Sequence, residues 1–179
     1  MRNKDRLREL RHYNKKVAVV TGSSSGIGYE TALLLARNGF DTYATMRDMN
    51  KSKKITDTAK KDSLPLQVLE LDVTSDKSVV NAVDKILREK KRIDVVVNNA
   101  GYASAGSVED SSIDEIKAQF ETNFFGGVRV MQAVLPIMRR QRSGTIVNVS
   151  AAAGRIAFPL YAGYSSSKFA LEVLSESMR

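Results

Sequence analysis

The chain has 179 residues, of which 42% are hydrophobic and 27% are charged, a composition typical of a single soluble globular domain. It contains no Cys and only one His, which excludes disulfides and thiolate metal sites and argues against a His-ligated metal centre. No apolar run is long enough to span a membrane and no secretory signal opens the chain, so we expect a cytoplasmic protein without a bound metal.

The positive charge is concentrated at the start of the chain. The formal net charge is +8, and residues 1–16 contribute +5 of it, because they hold seven Lys or Arg against two acidic residues. Such a tail either attracts phosphates and acidic partners or is a solvated extension. We favour the extension, since no nucleic-acid-binding motif accompanies the charge. The predicted organisation is a basic extension at 1–15 and one domain at 16–179, with no nucleic acid as partner.

From Lys16 onward, short runs of β-branched residues alternate with helical patterns, which indicates a parallel sheet covered on both faces. The predicted strands are 17–20, 41–45, 66–71, 94–98 and 145–150. The predicted helices run from the turn at 22–28 to a cap at Gly39, within 48–63, from 74 or 75 to 88, from 112 to 142 with a kink or break at Pro136, and from 161 onward. Right-handed crossovers then predict an α/β, Rossmann-like, doubly wound sheet in the order 3-2-1-4-5.

The segment TGSSSGIG joins the first strand to the first helix. Its glycines, Gly22, Gly26 and Gly28, permit a tight turn and a close approach of the backbone to a diphosphate. A helix that begins near Ile27 also favours negative charge at its N-terminus. A merely structural turn is the alternative, but three glycines and three serines in eight residues favour phosphate binding.

Four further motifs follow this loop in the chain. They are LDVT at 71–74, NNAG at 98–101, TNFFG at 122–126 and YSSSK at 164–168. In this order and spacing, the five motifs resemble the short-chain dehydrogenase/reductase family, and GYASAGSVED, YATMRD and KFALE resemble its hydroxysteroid and retinol dehydrogenase branch. The resemblance implies an oxidoreductase that interconverts a secondary alcohol and a ketone, or an alcohol and an aldehyde, by hydride transfer. It also implies a homo-oligomer, with an interface formed by the helices at 112–142 and from 161.

The end of the second strand bears on the choice of dinucleotide. By the family pattern, Met46 stands where NAD-preferring members carry Asp, and Arg47 stands where NADP-preferring members carry a basic residue. An Arg at this place binds a 2′-phosphate, so we expect NADP(H) to be preferred over NAD(H), with Ser23 and Ser24 adding hydroxyl contacts to the phosphate. The alternative for Arg47 is a solvated surface charge, and Asp48 is near enough to compete for it.

The resemblance extends the cofactor site along the edge of the sheet. It implies that Asp72 and Val73 flank the adenine. It also implies that Asn98, Ala100 and Gly101 line the cofactor beyond the fourth strand. A polar turn after a buried strand is the other interpretation of NNAG, and it is compatible with cofactor binding.

The catalytic candidates are Tyr164 and Lys168, which lie four residues apart and therefore on one face of a predicted helix. An ammonium beside a phenol stabilises the phenolate, which makes a tyrosine an effective acid and base near neutral pH. The resemblance implies that Lys168 also binds the nicotinamide ribose and that Asn123 holds a water near the lysine. Tyr161 is a weaker candidate, because the residue four positions later is the uncharged Ser165.

The chain departs from the family pattern in two ways. Ala151 occupies the place, thirteen residues before Tyr164, where the family has a serine that orients the substrate oxygen, and Ser150 is one position early, on the opposite face of a strand. The family also continues with two more strands, so we expect a C-terminally shortened domain with an incomplete substrate pocket. A non-catalytic NADP-binding module, or an inactive fragment, is therefore the alternative to an active enzyme.

Overall fold

The computed structural model describes residues 15–178, and the predicted basic extension lies outside them except for its last residue. Five parallel strands form one sheet in the order β3-β2-β1-β4-β5, which confirms the predicted topology. The strands are β1 Val17–Val20, β2 Asp41–Met46, β3 Leu66–Glu70, β4 Val95–Asn98 and β5 Thr145–Asn148. Each lies within one or two residues of its predicted bounds.

Helices follow the strands along the chain. They are α1 Gly26–Arg37, α2 Lys53–Lys61, α3 Asp76–Lys90, α4 Ile113–Phe120, α5 Gly126–Gln141 and α6 Ala162–Ser177. Local signals define several of their ends. Gly39 follows α1 with a φ of 86° and its amide donates to the carbonyl of Ala36, as the predicted cap requires. Ser112 and Glu115 form a capping box that starts α4.

Side chains of the central strands enter two separate apolar clusters, one on each face of the sheet. Val17, Val19 and Val96 belong to one cluster, whereas Val20 and Val97 belong to the other. Burial on both faces explains why these strands are continuous apolar runs rather than alternating patterns. Polar residues at the carboxyl ends of the strands are consequently the ones available to line a cleft.

The helical region at 113–141 differs from the predicted single helix with a kink or break at Pro136. A π-helical turn, Glu121–Phe125, separates α4 from α5, and α5 continues through Pro136. Burial of Val130, Val134 and Met138 against the core holds α5 together although Pro136 cannot donate a backbone hydrogen bond. The π-helical turn instead brings Asn123 into the interior, and such turns are frequent at functional sites.

Candidate active site

The glycine-rich loop between β1 and α1 packs closely against the NNAG segment. Gly22 and Gly26 have φ angles of 67° and 58°, a left-handed conformation that favours glycine. A Cβ on Gly22 would lie 2.8 Å from the Cα of Ala100, whereas a Cβ on Gly26 would meet nothing within 4 Å. The loop therefore has one side fixed against protein and one side open.

Two polar side chains that sequence reasoning missed, Thr21 and Asn99, hold this loop in place. The Asn99 side-chain amide donates to the carbonyl oxygens of Thr21 and Gly22, at 3.0 and 3.2 Å. The Thr21 hydroxyl accepts hydrogen bonds from the amides of Asn99 and Ala100, both at 3.0 Å. The ends of β1 and β4 are thus cross-linked in both directions. Thr21 lies in TGSSSGIG and Asn99 in NNAG. The motifs therefore contain both residues, but the sequence does not indicate that they hydrogen-bond to each other's loop.

The first turn of α1 faces the open side of the loop. Ser25, the residue before the helix, makes no capping bond with its side chain, and first-turn amides have no partner within their own helix. Ile27 is exposed at the same place. This set of donors suits an anionic oxygen atom, and the helix dipole adds to the attraction.

The three serines of the loop differ in orientation. Ser23 is fully buried and its hydroxyl donates to the carbonyl oxygen of Val20 at 2.8 Å. The expectation that the Ser23 hydroxyl contacts a phosphate is therefore wrong, because this hydroxyl satisfies a carbonyl group at the end of β1. Ser24 and Ser25 both line the open cleft.

One continuous cleft of about 1010 Å³ runs along the carboxyl ends of the strands. Its walls include most of the predicted site residues. They are Gly22, Ser24, Gly26, Ile27, Arg47, Asp72, Val73, Ala100, Gly101, Tyr164 and Lys168. The loop, the end of β2 and the start of α6 therefore contribute to one site.

Arg47 and Lys51 are the basic residues at the β2 end of the cleft, where Asp48 also lines the wall. Within residues 15–178, Arg47 takes part in no ion pair. The carboxylate of Asp48, the expected competitor, instead accepts a hydrogen bond from the amide of Asn50 at 3.0 Å. Arg47 is therefore available to an anionic ligand.

The end of β3 is shaped by Asp72 and Val73. One carboxylate oxygen of Asp72 accepts hydrogen bonds from the amide and the hydroxyl of Thr74, at 2.9 and 2.8 Å, which fixes the turn into α3. Val73 is buried against Gly126, where an added Cβ would lie 2.7 Å from the valine methyl carbon. Both residues line the same cleft as Arg47.

Asn98 does not line the cleft, contrary to the expectation. It is buried, and its side-chain nitrogen donates to the side-chain oxygen of Asn148 at 2.9 Å. Consecutive residues at the end of a strand point to opposite sides, so Asn99 faces the loop while Asn98 faces the interior.

The start of α6 places Tyr164 and Lys168 in the same wall of the cleft, as their spacing predicts. The lysine nitrogen lies 5.9 Å from the centroid of the tyrosine ring and donates to the carbonyl oxygen of Val149 at 2.8 Å. Only 5% of Lys168 is exposed, and this burial lowers the pKa of its ammonium group. Tyr161 packs edge-on against Tyr164 but is absent from the residues lining the cleft.

Asn123 connects the loop after β4 to α6. Its oxygen accepts from the amide of Tyr102 at 3.0 Å, and its nitrogen donates to the carbonyl of Tyr102 at 2.9 Å and to the hydroxyl of Ser167 at 3.1 Å. Ser167, which sequence reasoning also missed, donates in turn to the carbonyl of Tyr164 at 2.7 Å. Asn123 thereby braces the turn that carries the tyrosine.

Comparison with known proteins identifies the family. A family model described as short chain dehydrogenase matches residues 16–179. The chain belongs to the short-chain dehydrogenase family. Retinol dehydrogenase 8 of Bos taurus is 42% identical over 168 residues, which cover 91% of this chain and 53% of the relative.

Two solved structures of family members carry a dinucleotide. A short chain dehydrogenase/reductase from Burkholderia phymatum in complex with NAD is 27% identical, with a TM-score of 0.88, over 93% of this chain and 60% of that one. A variant of actinorhodin polyketide ketoreductase with NADPH is 27% identical, with a TM-score of 0.90, over 93% of this chain and 64% of that one. The chain thus spans between half and two thirds of the length of these family members.

At the position where this family is expected to have a serine, the chain has Ala151, which offers no hydroxyl. Ser150 does not replace it in the cleft, because its hydroxyl is buried beside Gly154, where an added Cβ would lie 2.6 Å away. The Ser150 hydroxyl has no hydrogen-bond partner within residues 15–178.

Residues 15–178 contain no group of three or more His, Cys, Asp and Glu placed to hold a metal ion. None of their helices is both long enough and apolar enough to cross a lipid bilayer.

Proposed function

We propose that this chain forms the NADP(H)-binding and catalytic part of an oxidoreductase that interconverts a secondary alcohol and a ketone, or an alcohol and an aldehyde. One observation carries the proposal: the first turn of α1 and the pair Tyr164 and Lys168 line the same cleft. A dinucleotide with its diphosphate at the first site extends towards the second. The names of the retinol dehydrogenase and ketoreductase relatives support this class of reaction.

The cleft fits a nicotinamide dinucleotide along its length. The amides of the first turn of α1 would receive the diphosphate, with Gly26 and Ile27 in the wall of the cleft, and the absence of any neighbour around a Cβ on Gly26 leaves room for it. Ala100 and Gly101 are small residues that admit the ribose on the nicotinamide side. The bound dinucleotide supplies or accepts the hydride, and the protein supplies the rest of the chemistry.

The preference for NADP(H) rests on charge. Arg47 and Lys51 lie at the end of β2, where the 2′ position of the adenosine ribose is read in this fold. A 2′-phosphate beside Arg47 gains charge-assisted hydrogen bonds. Position 46 is Met and therefore lacks the carboxylate that would accept a hydrogen bond from the ribose 2′-hydroxyl of NAD(H). We therefore infer that NADP(H) is preferred over NAD(H). Asp72 and Val73 flank the adenine.

The proton is moved by Tyr164. In the direction of reduction, its hydroxyl gives a proton to the carbonyl oxygen of the substrate, and in oxidation the phenolate takes one from the alcohol. Lys168 lies 5.9 Å from the ring, and its ammonium stabilises the phenolate. Asn123 acts through the Ser167 hydrogen bonds that hold the helical turn of Tyr164.

A cytoplasmic homo-oligomer is the form in which we expect the enzyme to act. Several apolar side chains of the helices at 113–141 and 162–177 are exposed, namely Ile113, Phe125, Phe169 and Val173. Association of two copies through these helices would bury them. Sedimentation of the purified chain tests the expectation, and a monomer at micromolar concentration would refute it.

A non-catalytic NADP-binding module is the second candidate, and Ala151 is the observation that favours it. Without a hydroxyl at this position, the substrate oxygen lacks one donor, and loss of such a donor costs on the order of 100-fold in rate. The glycine-rich loop at 22–28 and Arg47 would bind the dinucleotide in a non-catalytic module as well as in an enzyme.

The deciding experiment measures NADPH binding beside the oxidation of NADPH with a panel of ketones and aldehydes. We expect binding, slow turnover, and at least tenfold slower turnover in Tyr164→Phe. Tyr161→Phe is the matched control and should keep the wild-type rate. Binding without turnover identifies the module. If neither NADPH nor NADH binds, the cofactor site itself is wrong.

A further inference from the structure

One guanidinium group joins three segments of the chain beside the end of β3. Arg129, in the first turn of α5, donates from one terminal nitrogen to the carbonyl oxygen of Val73 at 2.7 Å and from the other to the carboxylate of Glu121 at 2.6 Å. Its Nε donates to the carboxylate of Asp76, the first residue of α3. The end of β3, the start of α3 and the π-helical turn at 121–125 therefore meet at one side chain.

The three contacts of Arg129 differ in their exposure to solvent. The arginine side chain is 21% exposed, and the carboxylate partners are 40% exposed at Glu121 and 85% exposed at Asp76. Solvent and salt weaken the interaction of exposed charges, so the pair with Asp76 is the most screened of the three. A guanidinium holds its donors in fixed directions. The bonds to Val73 and Glu121 therefore set the distance between the segments that carry these two residues.

These two segments belong to different parts of the large cleft. Val73 lies in the wall where the adenine is expected, and Glu121 lines the cleft at the start of the turn that carries Asn123. A second contact repeats the link, because the amide of Gly126 donates to the carbonyl of Glu121 and a Cβ on Gly126 would collide with the Val73 side chain. The wall and the turn consequently pack directly against each other.

The turn at 121–125 is in contact with the helical turn of the proposed acid and base. The side-chain nitrogen of Asn123 donates to the hydroxyl of Ser167 at 3.1 Å, and this hydroxyl donates to the carbonyl of Tyr164 at 2.7 Å. A continuous set of hydrogen bonds and one short backbone segment thus leads from Val73 to Tyr164. Such a set transmits a displacement only if its members move together, which a coupling between ligands at its two ends would demonstrate.

We propose that Arg129 is a positioning residue that couples the adenosine half of the dinucleotide site to the half that contains Tyr164. When the adenine packs against Val73, Arg129 holds the turn at 121–125 in place, and this turn holds the start of α6. The inference deepens the proposed function and rests on it. It assigns no catalytic role to Arg129, which is not among the residues that line the cleft.

The test divides the cofactor into two fragments. The probe 2′,5′-ADP represents the adenosine half of NADPH, and reduced nicotinamide mononucleotide represents the other half. In the wild type, saturation with 2′,5′-ADP should raise the affinity for the mononucleotide about fivefold or more, as expected for coupled sites. Arg129→Met should still bind each fragment alone but should lose this enhancement. Fluorescence titration with the reduced mononucleotide measures both affinities.

Hydrogen–deuterium exchange supplies a readout that requires no turnover. In the wild type, 2′,5′-ADP should slow amide exchange at 164–168, although this fragment is too short to reach these residues from the end of β2. The same fragment should leave exchange at 164–168 unchanged in Arg129→Met. Arg139→Met, at the exposed end of α5, controls for the loss of a positive charge and should behave like the wild type.

Glu121→Ala and Asp76→Ala form a matched pair. Each removes one carboxylate partner from the same guanidinium, but only Glu121 belongs to the turn that carries Asn123. Glu121→Ala should therefore lose the enhancement, whereas Asp76→Ala should keep it. Equal losses in the two variants would show that Arg129 only stabilises the fold, and would overturn the proposal. If Arg129→Met does not fold, this pair decides alone.

The fragments also separate this inference from the proposed function. Two fragments that bind the wild type without affecting each other would overturn the role of Arg129 and leave the proposed oxidoreductase intact. If neither fragment binds the wild type, the cofactor site and the coupling through Arg129 are both wrong.

Discussion

Gly28 and Asn99 approach each other so closely that no side chain fits between them. A Cβ on Gly28 would overlap the side-chain nitrogen of Asn99 and lie 2.5 Å from the carbonyl oxygen of Gly22. Asn99 in turn bonds the carbonyls of Thr21 and Gly22. The start of α1 is therefore fixed relative to β4, which places its first-turn amides in the cleft.

This contact makes Gly28→Ala a severe change. We expect at least a tenfold loss of NADPH affinity and a loss of about 1–3 kcal/mol of unfolding free energy, because the methyl group overpacks a rigid junction. Calorimetric titration with NADPH and urea denaturation measure the two effects. Gly39→Ala is the control. Its φ of 86° costs stability, but its Cβ meets nothing within 4 Å and it lies outside the cleft, so affinity should not change. Wild-type affinity in Gly28→Ala would contradict the assignment of the loop.

Arg47→Ala tests the cofactor preference. The guanidinium lines the cleft and takes part in no ion pair within residues 15–178. Charge-assisted hydrogen bonds to a 2′-phosphate contribute about 1.5–3 kcal/mol, so affinity for NADPH should fall at least tenfold while affinity for NADH stays within about twofold of wild type. Arg139→Ala, at the exposed end of α5, should alter neither. Equal losses for both dinucleotides would show that Arg47 does not read the phosphate.

The sheet was predictable because its central strands are continuous apolar runs. Val17–Val20 is apolar at every position and buried on both faces, and the loop that follows lies at a strand-to-helix junction. What could not be predicted depends on tertiary contacts. Whether Asn98 or Asn99 faces the cleft is set by where β4 ends. The inward turn of Ser23 depends on the carbonyl of Val20, which also accepts a hydrogen bond from the hydroxyl of Thr45.

The helical region at 113–141 illustrates the same limit. Pro136 is a strong local signal for a kink or break, yet packing of α5 against the core outweighs one missing hydrogen bond. The π-helical turn at Glu121–Phe125 has no comparable signal in the sequence. The three hydrogen bonds that Asn123 makes from this turn, with Tyr102 and Ser167, are tertiary contacts that the sequence does not reveal.

Ala151→Ser tests the departure from the family pattern. A hydroxyl at this position would supply a donor to the substrate oxygen, so we expect turnover with a ketone to rise at least tenfold, within the range of about 100-fold that one such donor is worth. Ala152→Ser is the control, because it places a hydroxyl on the neighbouring exposed residue. Steady-state oxidation of NADPH measures both. Similar rates in wild type and Ala151→Ser would remove Ala151 as the cause of any weak activity.

Lys168→Met should stabilise the protein. Burial lowers the pKa of this lysine in the folded state, so between the folded and unfolded pKa values the unfolded chain binds more protons and stability rises with pH. Below the folded pKa the full cost of the buried charge is present. Removing it should add about 0.5–2 kcal/mol of unfolding free energy, and this gain should shrink as pH rises towards the unfolded value of about 10.4. Urea denaturation at pH 7 and 10 checks both parts, and a destabilised variant at pH 7 would show that the ammonium is well solvated.

Asp94 should give stability the opposite dependence on pH. Burial alone would raise the pKa of its carboxyl, but hydrogen bonds from Arg92, at 2.6 and 2.8 Å, and from the amide of Val17, at 2.8 Å, outweigh burial and lower it. The carboxylate therefore contributes stability above the unfolded pKa of about 3.9 and loses it as pH falls through the folded value. Asp94→Asn should cost about 2 kcal/mol at pH 7, and the difference should narrow below pH 4.

Asp62→Asn is the control for this last prediction. Asp62 pairs with Arg37 at 2.8 Å, but both side chains are partly exposed to solvent, and surface pairs of this kind contribute about 0–1 kcal/mol. The unfolding free energy of Asp62→Asn should therefore stay close to that of the wild type at every pH. If Asp94→Asn were equally harmless, water would replace the two hydrogen bonds from Arg92 at no cost in stability. The start of β4 would then be stabilised by the burial of Ile93 and Val96.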